Sequence, residues 1–231
     1  MTEQQWLQAT DPRPMLDFLK GKASDRKLRL FAVACCRRVG HLLSNERMQD
    51  AVETAERFAD GLVDAARLRA CLADVDIYDW LGGVDDVAYL VTRPLQVFGA
   101  EMAARLVRRA SHALGQAAFP DADFEHDAYL GAASVRDSEA EVQAGLLRCV
   151  FGPLPFRPLS ADPAWLTWRE GLLVSLARHM YEGRDFADLP MLGDALEETG
   201  CADEDILGHC RQREVAHARG CFVVDLLTGK S

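Results

Sequence analysis

The chain has 231 residues, 49% of them hydrophobic, and a net charge of −10. That much apolar material supports a substantial core and excludes a disordered chain, while the acidic balance argues against a general affinity for nucleic acid, which needs clustered Lys and Arg. No apolar run approaches the roughly 18 residues that span a bilayer, and MTEQQWLQATDPRPM lacks the basic-then-apolar start of a signal peptide, so a soluble, cytoplasmic protein with no membrane partner is expected.

Seven cysteines, an odd number scattered through apparent helices, read as reduced thiols rather than a disulfide framework. Charge is segregated: eight basic residues face two acids between Lys20 and Arg47, and nine acids face Arg184 alone between Glu182 and Asp205.

In chain order, the first strong period is SDRKLRLFAVACCRRVGHLL. Ser24 or Asp25 caps a helix reaching about Leu43. Leu28, Phe31, Ala32, Cys35, Cys36, Val39, Leu42 and Leu43 share an arc of roughly 140 degrees, with Arg26, Lys27, Arg37, Arg38 and His41 opposite. Ser44 opens a second helix that stops at Gly61, and LVDAARLRACLADV continues in helical register until Gly82 and Gly83. From Val87 to about Leu114 the pattern is helical again, interrupted at Pro94. Arg105, Arg108, Arg109 and His112 gather toward its end, where positive charge suits the helix dipole.

Residues 119–140 read as an acidic linker or surface crossing between helical halves at 1–118 and 141–231, with helical character resuming near Asp137. Pro153, Pro155, Pro158 and Pro163 then predict an extended segment pinned by Trp165. Thr167 and Glu170 form a capping box ahead of a helix with Leu172, Leu173, Leu176 and Met180 as its stripe. Asp188 and Pro190 start the next helix, which stops at Gly200; ADEDILGHC and ARGCFVVDLLTGK give two more. No alternating strand is present. The predicted fold is all-α, an irregular bundle of about eight to ten helices without a sheet, its halves either separate or packed as one domain.

Two blocks, PMLDFLKGKASDRKLRLFAVACCRR near the start and LPMLGDALEETGC…HCR…HARGCFVVDLLTGK at the end, resemble a family of proteins that recur as many paralogues in planctomycete bacteria. Phe222 stands where that family has Trp, and QREVA where it has a Gly-Pro-rich turn. The resemblance implies no activity, cofactor or catalytic residue.

HCRQREVAHARGC, residues 209–221, is the densest collection of ligand types. On a continuous helix His217, Cys221 and Asp225 would lie within about 80 degrees of one another, and His209 or Cys201 could complete a zinc tetrahedron. Cys210 falls instead on the apolar stripe of Ile206 and Leu207. The spacing matches no established zinc signature, and Gly220 could break the helix before Cys221. A thiol reading would make Cys221 a nucleophile, His217 its base and Asp225 the orienter. No phosphate loop, H-E-x-x-H, G-x-S-x-G or kinase set is found, and the acid pairs Asp85–Asp86 and Glu197–Glu198 read as solvated surface.

The sequence therefore predicts a non-enzymatic helical module that binds another protein through Arg26, Lys27, Arg37, Arg38 and His41 or through the acidic C-terminal helices. No cofactor is required by that reading. The alternative is a zinc-stabilised or thiol-dependent module built on Cys201, His209, His217, Cys221 and Asp225; an enzyme assembled from distant helices stays open.

Overall fold

The computed structural model describes residues 1–43, 46–71, 100–120, 126–212 and 215–230. Among them the protein is all-α, with no strand. The expected Ser44 cap, the Gly82–Gly83 break, the Pro94 interruption and the Asp85–Asp86 pair lie outside the described residues. The chain divides into two compact units, residues 1–144 and 145–231.

The first unit contains α1 (Glu3–Gln8), α2 (Pro12–Leu19), α3 (Asp25–Arg38), α4 (Glu46–Ala59), α5 (Ala65–Ala70), α6 (Ala100–Ala118) and most of α7 (His126–Phe151). Ser24 caps α3 by accepting from the Lys27 amide, and a short 3-10 turn follows at Gly40–Leu42. α3 is the central helix, packed by α4 and by α6, and every residue from Lys27 to Cys36 is buried. Its polar side is accordingly not a solvated face. Arg26 pairs with Asp60, Arg37 with Glu53 and Glu56, and Arg38 forks onto both oxygens of Glu139 at 2.9 and 2.7 Å. Arg29, fully buried against the Phe58 ring, has its guanidinium pulled down to about 10 by burial, which the Asp25 charge partly offsets. Of the five residues expected to form a binding face, only His41 and Arg37 are exposed.

The segment read as a linker is helical from His126 onward. Its amphipathic signal is weak because its buried positions carry small or polar residues. Ala132, Glu139, Gln143 and Ala144 take the places where Leu or Val would announce a core face. Gln143 donates to Glu139 and accepts from Ser111 of α6, so one polar chain runs from Ser111 through Gln143 and Glu139 to Arg38. At Gly131 a Cβ would come within 2.4 Å of the Phe119 ring, which glycine alone admits.

The second unit holds the end of α7, then α8 (Pro163–Thr167), α9 (Leu172–Gly183), α10 (Leu189–Glu198), α11 (Glu204–Arg211) and α12 (Phe222–Thr228). The expected Thr167–Glu170 capping box does not form. The Thr167 hydroxyl donates back to the carbonyls of Pro163 and Ala164, closing α8. Arg169, Glu170 and Gly171 then take positive φ, so α9 begins only at Leu172. Leu173, Met180 and Tyr181 of α9, Leu192 and Leu196 of α10, Ile206 and Cys210 of α11, and Phe222, Val223 and Leu227 of α12 make one core, which also takes in Trp165. Asp203 caps α11 through the amides of Asp205 and Ile206 while pairing with Arg157.

Candidate metal centre

α12 does not extend back through ARGC. Gly220 has φ +88 and the helix starts at Phe222, so His217 lies on the preceding loop and Cys221 is the residue just before the first turn. The i, i+4, i+8 alignment of His217, Cys221 and Asp225 is lost with that break. A different set converges in its place: Cys149 near the end of α7, His209 on α11, His217 and Cys221. Their ligand atoms all lie within 4.8 Å of one another.

Close packing sets these positions. A Cβ at Gly193 of α10 would meet Cys210 Cβ at 2.7 Å, so the glycine lets α11 sit tightly on α10 with His209 turned inward. Gly152, at φ +50, lies against the Phe222 ring, where a Cβ would come within 2.5 Å; this brings the end of α7, and Cys149, beside the start of α12. The loop carrying His217 is tied to α9 by Arg219, whose guanidinium donates to the carbonyls of Tyr181 and Glu182 at 2.6 and 2.9 Å. Val215 packs at 3.6 Å over the Cβ position of Gly145.

The two rings are oriented for ligation. His217 Nε2 is 3.1 Å from the Gln212 carbonyl oxygen. A carbonyl can only accept, so Nε2 carries a proton, and in the neutral ring Nδ1 keeps its lone pair, facing Cys149 Sγ at 3.6 Å. His209 Nε2 is 3.3 Å from Cys221 Sγ, and the two imidazoles meet edge to face at 4.8 Å. A tetrahedral zinc with Zn–S near 2.3 Å and Zn–N near 2.05 Å needs S and N ligands about 3.5 Å apart. The His209–Cys221 and His217–Cys149 separations, 3.3 and 3.6 Å, bracket that value, and all four ligand atoms lie within 4.8 Å of one another.

Charge fits as well. Cys149, His209 and Cys221 are buried and His217 is partly so. Two thiolates and two neutral imidazoles around Zn²⁺ sum to zero, the least costly total in such a place. Burial by itself would raise the Cys221 thiol, but hydrogen bonds from Cys149, His209 and His217 and the His209 charge outweigh it and hold the thiol well below its ordinary value. Burial opposes protonation of His217, yet the adjoining Cys221 and the Gln212 carbonyl raise its pKa overall. The surroundings therefore favour an ionised Cys221 sulfur, the form a metal takes up.

Of the sequence-predicted ligands, His209, His217 and Cys221 come together; Cys201 and Asp225 lie outside the cluster. Cys201 packs among apolar side chains with its amide on the Leu196 carbonyl. Asp225, one turn into α12, is 1% exposed. Cys210 sits in the core as its stripe predicts. Cys149 was missed because GLLRCVF reads as an apolar helix face with nothing to set its thiol apart. For a nucleophile, Cys221 is poorly placed: it is fully buried, and no substrate reaches its sulfur without opening the loop. Among the described residues no helix is long and apolar enough to cross a membrane. No protein-family model, curated protein or solved structure matches the chain.

Proposed function

We propose that the C-terminal unit is a zinc-stabilised helical module, in which Cys149, His209, His217 and Cys221 bind one Zn²⁺ as a closed structural centre. The observation that carries this reading is the convergence of two sulfurs and two ring nitrogens, drawn from four separate positions, within 4.8 Å of one another inside a core. Four protein ligands leave no open coordination position, which favours a structural ion over a catalytic one. Such an ion would join α7, α11 and α12 through the loop that otherwise has little apolar surface to bury. A reducing compartment suits it, since two ligands must stay thiolate.

A module that docks another protein through the basic side of α3 has less support, because Arg26, Arg37 and Arg38 are engaged with acids of their own unit and Lys27 is buried. Reversing those charges is expected to unfold the first unit before it alters any partner. The test of the zinc reading is metal analysis of protein purified without a histidine tag, followed by thermal melting with a chelator. About one zinc per chain and a chelator-sensitive transition are expected. Metal-free protein whose melting ignores both chelator and added zinc would overturn the reading.

A further inference from the structure

The basic cluster of α6 is not explained by the helix dipole. α6 runs to Ala118 and has no basic residue in its last turn, so Arg105, Arg108, Arg109 and His112 stand in its middle. Their i, i+3, i+4, i+7 spacing puts them on one face, where like charges repel. That face lines a cavity of about 620 Å³ in the first unit, closed by the start of α2 and by α7. Arg136 of α7 and Arg13 of α2 add to the wall, giving five arginines against Asp11 and Asp137. Asp11 is already taken by Arg13, in a two-pronged pair at 2.9 and 2.7 Å. Arg105 and Arg108 have no ion pair with any described residue, although the chain as a whole is strongly acidic.

We propose that this cavity binds a small ligand carrying two or more linked phosphate groups. The exposed Arg105 and Arg108, with Arg109 and Arg136 in the same wall, match phosphate oxygens in charge and in fork chemistry, and two exposed guanidinium groups suit a ligand with more than one phosphate. The volume is that of a small-molecule site. A net charge of −10 disfavours a long polyanion, whose outlying phosphates would meet the acidic surface, and so selects a compact one. Pro12, Val107 and Ala140 supply apolar wall for the rest of the ligand.

Calorimetric titration of the full-length, zinc-replete protein tests this with inorganic pyrophosphate, ATP, citrate and a short single-stranded RNA as probes. Pyrophosphate and ATP are expected to bind at least tenfold more tightly than citrate or RNA. Tighter ATP would mean that the base adds contacts, and equal affinity that phosphate alone is read. The exposed substitutions Arg105→Gln and Arg108→Gln should each weaken both phosphate probes about tenfold, and the charge-matched Arg169→Gln in the other unit should leave them unchanged. Absence of pyrophosphate binding below about 1 mM, citrate binding as tightly, RNA binding more tightly, or indifference to Arg105→Gln and Arg108→Gln in folded protein would each overturn it. The experiment is separable from the zinc reading, since chelation acts on the other unit.

Discussion

The two units solve the same problem, burying polar groups inside helices, in opposite ways. The first uses complete ion pairs. Arg38 and Glu139, 101 residues apart in sequence, satisfy each other and draw in Gln143, and Arg26 does the same with a nearly inaccessible Asp60. The second buries four soft or ambivalent ligands with no carboxylate partner among them. Two thiolates and two neutral imidazoles would be charge-balanced by one dication. Buried polar groups close on opposite charges in one unit and gather two sulfurs and two imidazoles in the other, and that gathering is what the proposed zinc centre rests on.

The contrast breaks most sharply at the sulfurs. Cys149→Ser or Cys221→Ser should abolish zinc binding and lower the transition of the second unit by about 20 °C, as expected for loss of about 4 kcal/mol when free metal is about a thousandfold above Kd. Metal analysis and calorimetry of the variants check this. In the first unit, Glu139→Ala should destabilise by about 2–3 kcal/mol in denaturant unfolding, because Gln143 loses its acceptor and Arg38 its counter-charge. Zinc content should stay unchanged.

Gly152→Ala sharpens the comparison, since it touches no ligand. A side chain at φ +50 that also collides with Phe222 should cost about 2 kcal/mol and raise the rate at which a chelator removes zinc, measured by stopped flow. The smallest effect is expected at Asp203. Burial would raise its carboxyl, but Arg157 and the amides of α11 hold it below the usual 3.8. A depressed folded pKa means that its contribution is complete above the unfolded value and is lost as pH falls through the folded one. In chelator, Asp203→Asn should therefore flatten the acid side of the stability profile below about pH 4, while lowering stability near neutrality by about 1 kcal/mol.

Much of the helical order was legible because Leu, Phe and Met at period 3.6 marked α3, α4 and the C-terminal helices, and Gly61 and Gly200 marked the ends of α4 and α10. The part of α7 before Asp137 was hidden because Ala132 is its one buried residue, and pattern reading looks for large apolar residues. The candidate ligand cluster was half legible. His209, His217 and Cys221 stand within thirteen residues, but Asp225 entered on a helical register that Gly220 ends, and Cys149 lies 60 residues before His209 on a stretch that looks purely apolar. Its role appears only when packing at Gly152 and Gly193 brings α7, α11 and α12 together. The ion pairs of α3 were invisible for a related reason: the partners Glu139 and Asp60 of Arg38 and Arg26 are remote in sequence, and unpaired charge in a sequence reads as surface.

The central claim is the identity of the four ligands, and X-ray absorption at the zinc edge of tag-free protein tests it most directly. The account predicts one zinc per chain with two sulfurs near 2.3 Å and two nitrogens near 2.0 Å, and loss of the metal in Cys149→Ser. A metal-free protein, a shell of nitrogen and oxygen alone, or an unchanged spectrum in Cys149→Ser would contradict it.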